Sequence, residues 1–172
     1  MKDYIYVIIA IGAALIFVLA MLTKRITALY SQRREDERTN HSRQTMLPLR
    51  IQAYERLTIL MERLSPEELL LRYNSQVNTV GELQLILLSA VRSEYEHNVA
   101  QQIYVSPTLW NMLTETRNTL LTIINQSAVE LAPNAPAYEL SKRIMDNMTA
   151  FPSPPTVDTL RAIRREAQAV LG

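Results

Sequence analysis

The side chains best suited to hold a metal or move a proton lie in one short stretch, SEYEHNVAQQ, residues 93–102. Glu94 and His97 have the Glu-x-x-His spacing that sets a carboxylate and an imidazole on one face of a helix, with Asn98 adjoining them. Di-iron carboxylate bundles use this spacing, but they need it on two helices, with one further glutamate from each of two others. The chain has no second copy, which excludes a complete dinuclear site within one chain. A mononuclear site, an intersubunit site or an acid–base pair is the chemistry left open to Glu94, His97 and Asn98.

Other enzyme classes find little support. There is no cysteine for a thiolate nucleophile, and neither a Gly-x-Ser-x-Gly turn nor a glycine-rich phosphate cradle is present. The other histidine, His41, falls in a polar stretch where a solvated side chain is expected. No metal and no cofactor is implied, and a non-enzymatic role is favoured over catalysis.

The same seam has a structural reading. On a helical wheel Leu83, Leu87, Val91, Glu94 and Asn98 share one stripe. In the following segment Leu109, Trp110, Leu113, Leu120, Leu121 and Ile124 form the stripe, and Arg117 falls inside it. A turn at Tyr104–Ser106 makes the two helices antiparallel and sets Glu94 and Arg117 each about 17 Å from it, at 1.5 Å per residue. An ion pair between Glu94 and Arg117 is therefore expected. The alternative is that both heads reach to the edge of the seam.

These residues must be carried by helices. Eight prolines punctuate the chain, and all are expected between apolar-periodic segments or in their first turns. SPEE at Ser65–Glu68 and TVGE at Thr79–Glu82 have the spacing of capping boxes, and Ser106 precedes Pro107 as a further cap. Helices are predicted at about 49–64, 66–73, 80–103, 107–131, 137–149 and 156–171. In the first, Leu49, Ala53, Leu57, Leu60 and Leu64 form the buried stripe, while Ile51 and Ile59 lie off it as a candidate docking surface. No useful stretch alternates with period two, so the fold class is all-α.

Tyr4 to Leu22 carries no charge and matches the roughly 20 apolar residues that cross a bilayer as a helix. Secretion signals have a shorter apolar stretch and then small residues at a cleavage site, and TKRITALYSQRRE offers none. The expected architecture is an N-terminal transmembrane helix, residues 1–22, a polar and basic tether, 23–47, and a compact antiparallel helical bundle, 48–172. Lys24, Arg25, Arg33 and Arg34 follow the span, with Arg38 and Arg43 beyond them, against Glu35, Asp36 and Glu37. Basic residues beside a span stay on the cytoplasmic side, where they meet anionic headgroups. The bundle is thus expected in the cytoplasm, anchored to the inner membrane through residues 4–22. Ala10 and Ala14 form a small-xxx-small pair through which two spans could pack.

A net charge of +1 argues against a nucleic-acid partner. The expected partners are the bilayer and an unidentified protein, a second copy included. Two strings, LPLRIQAYERLTILMERLSPEELLLR and EYEHNVAQQIYVS, give the chain a wider context. From about Leu47 to Trp110 the chain resembles a family of uncharacterised bacterial proteins with one amino-terminal span and a cytoplasmic helical domain. The resemblance implies the same architecture and supplies no activity, substrate or cofactor. Together these features point to a membrane-anchored interaction or scaffold protein, with a polar-seam enzyme or metal site as the alternative.

Overall fold

A computed structural model of the chain describes Gly12, residues 19–25 and residues 44–171. By its contacts the chain divides into two units, Met1–Met46 and Leu47–Gly172. In the first, residues 19–25 are helical and exposed. Among the described residues no helix is long and apolar enough to cross a membrane. The expected span at 4–22 lies outside the described residues except for Gly12 and residues 19–22, and Arg33 and Arg34 lie outside them too. Lys24 and Arg25 are on the exposed helical turn.

The second unit is built from helices: α1 at 44–63 (of which 47–63 belong to this unit), α2 Pro66–Tyr73, α3 Val80–Asn98, α4 Pro107–Ala128, α5 Ala137–Met148 and α6 Pro155–Leu171. The described residues contain no strand, only an isolated bridge between Thr79 and Pro136. The chain is all-helical there, as its periodicity implies.

Proline and hydroxyl caps place most of the helix starts. Pro66 and Pro107 occupy the first helical position, behind Ser65 and Ser106, whose side chains accept from Glu68 N and Leu109 N. At α3 the reciprocal box closes: Thr79 Oγ1 accepts from Glu82 N, and the Glu82 carboxylate accepts from Thr79 N. The loop before α5 supplies acceptors for the two remaining early donors, since Val80 N bonds Ala135 O and Gly81 N bonds Pro133 O, both at 2.9 Å. A Cβ on Gly81 would stand 3.3 Å from that Pro133 oxygen, so the close approach of loop and helix favours glycine.

Two boundaries differ from expectation by five residues, and α4 ends at Ala128, three residues before the expected 131. Pro48 stands inside the helical run 44–63, not ahead of it; it is exposed, so the carbonyl left without its N–H donor at residue 44 can turn to water. The segment 80–103 is not one α-helix, because it tightens into a 3₁₀ turn at Val99–Ile103. Asn98, at the junction, has left helical geometry (φ −110°, ψ 1°), and its Nδ2 reaches back to Glu94 O at 2.9 Å. A short amide competing for a backbone carbonyl in this way favours the end of an α-helix.

Helix α3 packs on α4 and α5, α4 also on α6, and α2 on α3 and α5. The hydrogen bonds Gln84–Asn125 and Tyr95–Thr114 set the α3–α4 register. Both pairs are equidistant from a turn centred between Tyr104 and Val105, which makes the hairpin antiparallel. The core gathers Leu57, Leu60 and Met61 of α1 and Leu64 just after it with Leu83, Leu87 and Val91 of α3, Leu113 of α4, Leu140 of α5 and Ile163 of α6, all at most 2% exposed. Leu49, expected in the α1 stripe, is 37% exposed and lies outside this core.

Candidate functional site: a polar seam, a carboxylate lock and an apolar groove

The polar seam on α3 exists, but its partners are not those expected. Glu94, with its side chain 16% exposed, pairs with Arg63 of α1, whose Nε lies 2.7 Å from Oε1, and with Arg72 of α2, whose Nη1 lies 3.6 Å from the same oxygen. The expected Glu94–Arg117 ion pair is therefore corrected. Arg117 stands at the right level of the hairpin, yet its guanidinium lies over the ring of Tyr95, 4.4 Å from the centroid, and donates to Asn118 Oδ1. Tyr95 also packs at 5.4 Å against Trp110 and shares a hydrogen bond with Thr114.

The cause is geometric. A wheel of α3 and α4 shows which residues face one another along one pair of helices, but Glu94 lies at the edge of that seam. There the arginines of α1 and α2, thirty-one and twenty-two residues away in sequence, reach it first. The carboxylate raises the pKa of the Arg63 guanidinium by accepting its hydrogen bond and by charge attraction.

His97 is exposed and Asn98 half-buried. Among the described residues no three histidine, aspartate or glutamate side chains come together as metal ligands. Glu94 faces two guanidiniums, and its charge is used in holding α1 and α2 to α3. Arg72 Nη1 is buried with no hydrogen-bond acceptor, so its charge depends on Glu94.

A second polar network, at the other end of α1, has no local signature in the sequence. Glu166 of α6 accepts from Tyr54 Oη at 3.0 Å and from Ser106 N at 2.8 Å through Oε1, and from Ser106 Oγ through Oε2. Arg50 stands 3.7 Å from Glu166, donates to Tyr54 Oη at 2.8 Å and bonds Tyr104 O at 3.0 Å. Ser106 thus serves as donor to Glu166 and as cap to α4. The carboxylate sits at the amino terminus of a 22-residue helix, where the helix dipole favours negative charge. Burial pushes the Tyr54 hydroxyl above its ordinary value, and the Glu166 carboxylate adds to this while Arg50 opposes it. Tyr54 therefore stays protonated and donates. Four residues from three distant segments meet here, and no short spacing could announce them. Their arrangement is a lock that fastens α6 to α1 and to the start of α4.

Beside this lock runs a groove of about 540 Å³ between α1 and α6. Ile51, Thr58 and Ile59 form one wall with Glu55 and Glu62 at its rim; Leu160, Ile163, Ala167 and Leu171 form the other, with Arg164 at its rim. Both sets recur at three- and four-residue steps, so each is a stripe along its helix. Ile59 is 58% exposed and Leu171 64%. Ile51 and Ile59, which lie off the core stripe of α1, thus line one surface.

No curated protein and no solved structure matches the chain. A family profile does match, over residues 1–170: the chain belongs to the family of unknown function DUF7935.

Proposed function

We propose that the protein is a non-enzymatic helical interaction module, held at the inner face of the bacterial cytoplasmic membrane by residues 4–22, which docks a protein partner on its α1–α6 groove. The observation that carries this reading is the groove itself. It is a largely apolar channel flanked by two helical stripes on the surface of the domain. The uncharged run Tyr4–Leu22 and the basic residues after it support the anchor and its orientation. Lys24, Arg25, Arg33 and Arg34 would then lie at the headgroups. A tether raises the effective concentration of partners that share the membrane.

The test is fractionation of the full chain with a reporter fused after Gly172. The chain should remain with membranes through alkaline extraction, a chain lacking 1–22 should be released, and a reporter active only in the cytoplasm should work. A full chain that stays in the soluble fraction, or activity only from a periplasm-dependent reporter, overturns the anchored reading.

A further inference from the structure

We infer that the occupant of the α1–α6 groove is a second copy of this chain, related by a two-fold axis, with α1 of each copy lying along α6 of the other. The inference rests on the proposed anchoring for its strength, though not for its geometry.

The groove carries opposite charges on opposite rims. Glu55 and Glu62 project from α1, two helical turns apart, or about 10 Å at 1.5 Å per residue. Arg164 projects from α6, and Arg165 beside it is exposed as well. None of the four side chains has an ion-pair partner among the described residues, although other surface arginines on α5 and α6 do. A two-fold axis running along the groove exchanges its rims and keeps each residue at its own level. The bond between Tyr54 and Glu166 fixes that level, so Glu55 of one copy meets Arg164 of the other. This is the self-complementarity that an isologous contact requires. A foreign helix of one sign would satisfy one rim and be repelled by the other.

Size sets the strength of the contact. Helix α6 has 17 residues, about 25 Å, and two helices lie 8–10 Å apart, so the two-helix face presents on the order of 500 Å². Stable soluble dimers bury about 800 Å² per partner. The contact is therefore weak in free solution and forms where a membrane confines both copies. Ala10 and Ala14 lie outside the described residues; in the proposed span they would offer a second small contact.

The chain has no cysteine, so introduced thiols report without background. Two differently tagged full-length chains, one Glu55→Cys and one Arg164→Cys, are co-expressed, and isolated membranes are treated with a mild oxidant. A disulfide-linked heterodimer is expected in several-fold excess over either homodimer. The charges are tested with the thiols moved to the groove walls, Ile51→Cys in one chain and Ala167→Cys in the other. Glu55→Arg in both chains should reduce the linked product several-fold, and adding Arg164→Glu should restore it. Absence of the mixed disulfide, or charge reversal without effect, overturns the two-fold contact; so does a foreign protein cross-linked to the groove in its place. Membrane fractionation of the same samples separates this failure from failure of the anchor, because chains that pellet with membranes yet do not cross-link refute the dimer alone.

Discussion

The guanidinium of Arg117 lies over the ring of Tyr95, 4.4 Å from its centroid, one residue along α3 from the Glu94 carboxylate. Tyr95 is buried and accepts the cation on its face, while Glu94 turns toward α1 and α2. The two interactions are neighbours in sequence and independent in partners.

Glu94→Ala should cost between the roughly 1 kcal/mol of an exposed pair and the roughly 3–5 of a buried one, because Arg72 Nη1 is left buried without a counter-charge. Arg63→Ala should cost less than about 1 kcal/mol, since its side chain is 48% exposed. A double-mutant cycle between Glu94 and Arg117 should show additivity within about 0.5 kcal/mol. Chemical unfolding of the single and double variants checks this, and a large Glu94–Arg117 coupling would refute the assignment.

Thr116 and Thr159 join α4 to α6 through hydroxyls 2.7 Å apart, at 4% and 0% exposure. Thr116→Val strands the Thr159 hydroxyl in a dry site and should cost about 1–3 kcal/mol. The double valine variant removes both polar groups and should recover much of that loss. Thermal midpoints of the three variants measure it; a double variant worse than the sum of the singles would contradict the account.

The Tyr54 hydroxyl is held above its ordinary 10.0 by burial first and by Glu166 second. A raised folded pKa means that its contribution to stability is fully present below pH 10 and is lost as pH rises through the folded value. Tyr54→Phe should flatten the alkaline limb of the unfolding profile above pH 10. At neutral pH it should cost about 1–3 kcal/mol through the lost bond to Glu166. Unchanged alkaline limbs in wild type and variant would remove Tyr54 from the titration.

Glu82 behaves in the opposite sense. The backbone N–H groups of Asn78, at 3.1 Å, and Thr79, at 3.2 Å, hold its carboxyl below the ordinary 4.5. Its contribution is present above pH 4.5 and disappears as pH falls through the lower folded value. Glu82→Gln should make the acid limb below pH 4.5 shallower, read from unfolding midpoints across that range.

Local chemistry determines much of this protein without reference to tertiary contacts. Ser65, Thr79 and Ser106 cap helices where their spacing places them, and Pro66 and Pro107 follow as first residues, because capping involves atoms within one turn. The antiparallel α3–α4 hairpin and the level of Arg117 along it are also legible in the sequence, since a short turn and a fixed rise leave little freedom. What a third helix brings to an edge is not. Arg63 and Arg72 reach Glu94, and Glu166 reaches Tyr54 and Ser106, across sequence gaps of 22 to 112 residues. Helical periodicity shows which face a side chain leaves from; only the packing of α1, α2 and α6 around the hairpin decides which charge arrives there first. The same packing turned Ile51 and Ile59 from scattered apolar residues into one wall of a groove, because the other wall belongs to a helix about a hundred residues away.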